Sequence, residues 1–387
     1  MKELRLGIIG IGGMGSAHAA SILAGNIPRC RLAAVCDQDP ERLKKFEGIP
    51  GYTDSDALLA SGLVDAVLVA TPHYAHTTVG IAALKAGLHV LVEKPISVHK
   101  ADCERLIAAH RSKKQVFAAM FNQRTDSVFL KIRDLVRGGE LGKIRRVTWT
   151  ITDWFRTEAY YASGGWRATW AGEGGGVLLN QCPHNLDLYQ WIFGMPARVR
   201  GFCKMGFHHK IEVEDDVTAY FEYQDGTSAV FITSTGEAPG ANRLEISAER
   251  GRLVMEGGKL QFTRNEVPMT EFSRTTSESF ARPPVWNVEI PVVQRGEQHN
   301  GILKNFTNAI LDGEKLVAPA AEGLHSVELG NAILMSSILG DTVEVPISPA
   351  KYEKLLKKLI ATSRFKKPVA KKRAGGEDFS KSFLKTV

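Results

Sequence analysis

Two short stretches carry residues able to move a proton and hold charge on a single oxygen atom. The first, Gly174-Gly175-Gly176-Val177-Leu178-Leu179-Asn180-Gln181-Cys182-Pro183-His184-Asn185-Leu186-Asp187, opens with three glycines, which let the backbone pass close to a ligand. Asn180, His184 and Asp187 then follow at spacings of four and three, which turns polar groups toward one side of a helix start. The second, Glu93-Lys94-Pro95, supplies a lysine. An imidazole with an unperturbed pKa of about 6.5 exchanges protons at neutral pH, and an ammonium stabilises negative charge developing on the same oxygen. His184 is therefore expected to act as the base and Lys94 as its electrostatic partner. Asn180 orients a substrate hydroxyl or His184, and Asp187 either orients the imidazole or serves in capping or at the core edge. Pro95 is expected to follow a cis peptide bond that aims Lys94 inward.

These residues need a scaffold that brings a strand end and a distant loop together. Leu4 to Ile9 is an apolar run of strand length, and Gly10-Ile11-Gly12-Gly13-Met14-Gly15 after it fits G-x-G-x-x-G and leads into a helix from Met14 to Ala24. Gly10 makes the tight turn, Gly12 admits a pyrophosphate, and Gly15 packs helix on strand, with phosphate at the helix N-terminus. A second strand, Arg31 to Cys36, delivers Asp37, whose carboxylate accepts the adenosine ribose hydroxyls and repels a 2′-phosphate. NAD is thus expected over NADP, with Arg42 softening that choice. Strands at Asp65 to Ala70, His89 to Val92 and Val116 to Phe121 alternate with helices at Ser55 to Ala60, Thr77 to Ala86 and Lys100 to Arg111. The pattern predicts a doubly wound, six-stranded parallel Rossmann sheet over residues 1–121, with Lys94 at the carboxyl end of a strand on the cofactor side.

The glycine fingerprint, the Thr71-Pro72…His76 loop, the run from Ala86 to Pro95 and the Gly174…His184…Asp187 loop together resemble the Gfo/Idh/MocA family over nearly the whole chain. The resemblance implies NAD(P)-dependent hydride transfer to or from a ring hydroxyl of a sugar, glycoside or cyclitol. It also implies cofactor contacts at Gly10, Ile11, Gly12, Gly13, Met14, Gly15, Asp37, Thr71, Pro72, His76, Glu93 and Lys94, and the histidine as base. Many inositol dehydrogenases carry Asp four residues before that histidine, where this chain has Asn180, an amide that cannot ionise. Two other readings share the fold: glycoside cleavage by transient oxidation and elimination with NAD recycled, and a non-catalytic NAD-binding regulator.

Beyond Phe121 the texture changes. Asn122-Gln123-Arg124 leads into a helix from Asp126 to Arg137, after which strands dominate at Arg145 to Thr152, Arg198 to Phe202, Val217 to Tyr223 and Ala229 to Thr235. Asp225-Gly226 and Gly257-Gly258 read as hairpin turns, so residues 122–350 are expected to form a mostly antiparallel, open-faced sheet with helices on one side. The resemblance implies a homodimer or homotetramer built through the open face. Asp153 to Arg167 is dense in aromatics and guanidinium groups, which stack on sugar C–H faces and bond hydroxyls or a carboxylate. The expected substrate contacts are Lys94, Arg124, Trp154, Arg156, Tyr161, Trp166, Arg167, Asn180 and His184. His208-His209 with Glu212, Glu214, Asp215 and Asp216 matches no zinc spacing, and no metal is expected. Amphipathic helices at Gln298 to Leu311 and Glu322 to Leu339 are expected to return toward the first domain, with residues 351–387 forming a helix from Lys351 to Arg364 and a basic tail.

The net charge of +7 is local: residues 351–387 hold twelve Lys or Arg against three Asp or Glu. The body is not basic, which argues against a nucleic-acid protein. Five cysteines without a C-x-x-C pair fit a reduced, cytoplasmic setting, and no apolar run reaches the roughly 18 residues of a membrane helix.

Overall fold

The computed structural model describes residues 2–292 and 295–367; the basic run at 371–373 lies outside them. In the first unit, apolar runs form β1 (Leu4–Ile9), β2 (Cys30–Cys36), β3 (Gly51–Tyr52), β4 (Ala66–Val69), β5 (His89–Val92) and β6 (Phe117–Ala119). They pair in parallel in the order β3-β2-β1-β4-β5-β6. Ile8, Leu68, Val90 and Leu91 are fully buried, as strands covered on both faces require. Five strands match the expected runs; β3, two residues at the edge, is too short to carry a periodicity. The order reverses between β1 and β4, so the loops leaving their carboxyl ends flank the crevice in which such sheets bind ligands.

The second unit is a nine-stranded sheet of β7 (Ile144–Ile151), β8 (Arg198–Met205), β9 (Glu214–Glu222), β10 (Ser228–Ser234), β11 (Asn242–Ala248), β12 (Gly251–Glu256), β13 (Lys259–Asn265), β14 (Val285–Ile290) and β15 (Val343–Glu344). Its order is β14-β13-β12-β11-β7-β10-β9-β8-β15, antiparallel throughout except where β7 pairs with β10. Hairpins turn at Asp225-Gly226 and Gly257-Gly258, as their glycines at positive φ allow. Alternation sends Val147, Trp149, Ile151, Phe221, Phe231 and Ile246 inward, while Phe202 and Tyr220 stay exposed on the other face.

The helix Pro183–Phe193 lies under the inner face. Its residues 183–192 are all buried, so it is a core helix rather than an amphipathic one, started by Pro183 and ended by Gly194 at φ 78°. The helix Gln298–Asp312 returns to the first unit, where Ile302, Leu303 and Phe306 join the Rossmann core. The helix Pro349–Thr362 packs Tyr352 and Leu356 into the core of the second unit.

Candidate active site

The glycine loop shows why each of its small residues is needed. Gly10 has φ 96°, and a Cβ there would stand 2.6 Å from the Ala70 carbonyl at the end of β4. A Cβ at Gly15 would come within 1.9 Å of the Gly10 carbonyl, so the helix Gly13–Leu23 sits directly on the loop. At Gly12 the space is open but for Arg42 at 3.8 Å, and no side chain caps the helix, which leaves its first N–H groups for an anion. Asp37, buried at the end of β2, accepts Ile11 N and Asp39 N at 2.9 Å each and pairs with Arg42 Nη1 at 3.1 Å. The Thr71 hydroxyl is buried among the described residues without a protein partner.

Two of the expected cofactor residues have other duties. The ring nitrogens of His76 lie 2.8 Å from the Pro95 carbonyl and 2.7 Å from that of Thr71, tying the β4 and β5 loops together. Glu93 points to the first helix, bonding His18 Nε2 at 2.7 Å, and accepts Lys94 N at 3.1 Å. Burial pushes the Glu93 carboxyl up, but the His18 bond and the neighbouring His18, His299 and Lys94 outweigh it and hold the pKa at about 2.

The Lys94-Pro95 bond is cis, as expected. Lys94 Nζ donates to the Asn180 carbonyl at 2.9 Å, joining the Rossmann strand to the second unit's loop. Burial depresses the Lys94 pKa; Glu93 and Glu173 oppose that, and Arg167 and Arg156 add to it. His184, in the first turn of the buried helix, is held well below the usual histidine range by burial, with Lys94 and His299 contributing. It is neutral at pH 7, and its Nδ1 is buried with no partner among the described residues. A neutral imidazole beside an ammonium, at the carboxyl edge of a Rossmann sheet, can take a proton from a hydroxyl that the ammonium polarises.

The loop from Trp154 to Arg167 contributes unevenly. Arg167 lies over Tyr160 and Trp166, and donates to Tyr160 Oη at 3.0 Å; that hydroxyl donates to Asn180 Oδ1 at 3.3 Å. Arg156 lies over Trp154 and Tyr160. Trp166 sets its edge against His73, and Trp154 donates to Asn185 Oδ1 at 3.2 Å. Tyr161 is buried, bonded to Thr235 and tilted against His209, while its neighbour Tyr160 meets Arg167 and Asn180. Arg124 is also misassigned by sequence. Its guanidinium is fully buried, bidentate to Asp187 at 2.6 and 2.7 Å, and bonded to Glu322, so it is taken up by protein carboxylates. The same pair removes Asp187 from any role in orienting His184.

Sequence reasoning missed Glu173, His73, His18, His299 and Tyr160. Glu173 had a readable signal, since it directly precedes the three glycines. His299 had none, because the fold alone brings the start of its helix to the first unit. His209 bonds Asp215 and the Arg156 carbonyl. No cluster of three or more His, Cys, Asp or Glu suited to a metal occurs among the described residues, and no described helix is long and apolar enough to cross a membrane.

The open face at Gly12, the uncapped helix start and the Asp37 carboxylate fit a dinucleotide. Residues 4–121 match the family model described as oxidoreductase family, NAD-binding Rossmann fold. Residues 129–254 match the GFO/IDH/MocA C-terminal domain. The chain belongs to the Gfo/Idh/MocA family of NAD-binding oxidoreductases. It is 30% identical to the myo-inositol 2-dehydrogenase of Thermotoga maritima over 65% of this chain and 75% of that one. It is 24% identical to the inositol 2-dehydrogenase of Rhizobium meliloti over 86% of this chain and 96% of that one. Among solved structures it resembles the WlbA dehydrogenase of Bordetella pertussis, crystallised with NADH and UDP-GlcNAcA. The TM-score is 0.74 at 24% identity, covering 89% of this chain and all of that one.

Proposed function

We propose that this chain is an NAD-dependent dehydrogenase that oxidises one ring hydroxyl of a sugar, glycoside or cyclitol, with His184 as base. The observation that supports this most is the convergence of Lys94, held by the Asn180 carbonyl, with a buried neutral His184 near the end of β5. NAD, when bound, supplies the hydride acceptor. Lys94 steadies the substrate oxygen as His184 accepts its proton, and Arg156, Tyr160, Trp166 and Arg167 form the wall that receives the ring. An absorbance screen for NADH formation over cyclitols, free sugars, sugar acids and glycosides tests this. A hit with accumulating NADH supports it; cleavage of a glycoside without net NADH would instead mark the recycling reaction, and tight NAD binding with no turnover a regulator.

Asp37 is proposed to grip the adenosine ribose, so NAD is preferred over NADP. Replacing Asp37 by Asn should weaken NAD binding by roughly 10–100-fold, the loss of one or more hydrogen bonds to a charged group, and narrow the gap to NADP. Arg42→Ala should widen that gap, because the cation paired with Asp37 that could meet a 2′-phosphate is removed. Equal kcat/KM for the two cofactors in the unmodified enzyme counts against this assignment.

The pH profile carries a second expectation. Oxidation needs His184 unprotonated and Lys94 protonated, so activity falls as pH drops through the His184 pKa and as it rises through that of Lys94. Burial lowers both. The acid limb of kcat/KM is therefore expected below pH 6.5 and the alkaline limb below pH 10.5, about the unperturbed values of the two groups. An acid limb above that of free imidazole contradicts the reading.

The exposed sheet face around Phe202 and Tyr220 is proposed as the surface of a homodimer or homotetramer. The five unpaired cysteines support a cytoplasmic setting.

A further inference from the structure

Glu173 is 1% exposed, yet its carboxylate is enclosed by groups of the site and not by the core alone. One oxygen accepts the Ala168 backbone N–H at 2.5 Å, and the other accepts the Asn180 side-chain amide and lies 3.9 Å from Arg167 Nη1. Asn180 is the residue whose carbonyl holds Lys94 Nζ. The carboxylate is thus one residue removed from the ammonium, and it links the substrate loop to the catalytic loop.

The backbone on either side is built to keep it there. A Cβ at Gly172 would stand 1.9 Å from the Trp166 carbonyl, and one at Gly174, where φ is 77°, would stand 2.0 Å from Val98 Cγ1. Two glycines with no room for a side chain hold the one acidic residue between them in a fixed direction. A buried carboxylate is costly unless cations and donors compensate it. Here Arg167, Lys367, the Ala168 N–H and the Asn180 amide do so, and burial still lifts its pKa above the usual range.

We propose that Glu173 is a positioning residue of the catalytic centre, clamping Asn180 and keeping Lys94 charged by standing as a buried anion beside it. This rests on the dehydrogenase reading only in the meaning it gives to Lys94. The groups facing Lys94 are Glu93 from its own strand, Glu173, Cys182 and His184 from the glycine loop, Arg156 and Arg167 from the substrate loop, His73 and His76 from the β4 loop, and His299 from the returning helix. Of the carboxylates among them, Glu93 is the stronger influence and is also bonded to His18, and Glu173 adds a second buried anion that holds the proton on Lys94.

The test uses Glu173→Gln in the full chain and reads Lys94 itself. Mass-spectrometric measurement of the acetylation rate of Lys94 across pH gives its titration midpoint without any turnover. Loss of the carboxylate is expected to lower that midpoint by about 1 pH unit or more, and Glu173→Asp, which keeps the charge, to restore most of it. Where a polyol substrate is in hand, the alkaline limb of kcat should move down by the same amount while NADH affinity stays unchanged. An unshifted midpoint in Glu173→Gln overturns the proposal even if the enzyme is weakened, since a purely structural residue gives that result. Should the glutamine amide facing the Ala168 N–H prevent folding, Glu173→Ser removes the charge without that opposed donor, and the same fall or its absence decides. Failure of the dehydrogenase reading leaves the acetylation result intact, so the two can fail separately.

Discussion

His184→Ala is expected to cut turnover by about 10²–10⁴-fold, the usual contribution of a positioned general base, while NADH binding, read by fluorescence, stays near normal. Lys94→Ala is expected to cost about 10²–10³-fold, as loss of a donor to a developing oxyanion does in a dry site. The reason lies in the geometry. His184 is buried and neutral, and no other imidazole sits on the glycine loop. Lys94 spans the two units through the Asn180 carbonyl, so its removal takes away both a charge and a link. The double variant should be little worse than the weaker single one, because the two act on the same oxygen and their effects do not add. A His184→Ala enzyme with full kcat on any substrate found in the absorbance screen would remove it from the mechanism. Glutamine at 184 serves as a control, since it keeps hydrogen bonding but cannot take the proton.

Asp187→Ala is expected to destabilise the protein by about 3–5 kcal/mol, the cost of leaving one member of a buried ion pair alone. Arg124 is then a guanidinium with no exposed surface, left with the Val317 carbonyl and Glu322, the latter itself 43% exposed. The pair also bears on the site, because Asp187 lies three residues after His184 on the same helix and Arg124 belongs to the turn Asn122–Thr125 where the chain crosses between units. A fall in the thermal midpoint with a parallel loss of activity is the expected outcome. Replacing both partners together by apolar residues of similar volume should recover much of the stability, since no charge is then stranded. A variant that melts like the parent but loses only substrate affinity contradicts the structural role and returns Arg124 to the substrate.

The first unit was readable because its signals are local. A strand, a glycine loop and a helix follow each other within residues 4–23, and each of the longer parallel strands is a continuous apolar run. The same holds for the hairpin glycines of the second sheet and for the Lys94-Pro95 peptide. Boundaries slipped where capping and packing decide them: the helix expected from Thr77 begins at His73, which puts His73 and His76 in its first turns. Strand β11 was legible but missed, since Leu244, Ile246 and Ala248 alternate with polar residues.

What sequence alone determined was the inventory: a dinucleotide loop with its acidic residue, a lysine at a strand end and a histidine after a glycine loop. These follow from residue type and short spacing, which act over one turn or one strand. Which polar residues face the site was decided only by the tertiary structure. Tyr160 and Tyr161 are neighbours in the chain with the same chemistry, and one meets Asn180 while the other is bonded to Thr235. Arg124 and Arg167 are equally suited to a substrate carboxylate, but one is spent on Asp187, 63 positions away. Glu173 acquires its place beside Lys94 because two folded units close on it. Burial, and with it the pKa of every group in the centre, depends on which surfaces meet, and spacing along the chain does not contain that information.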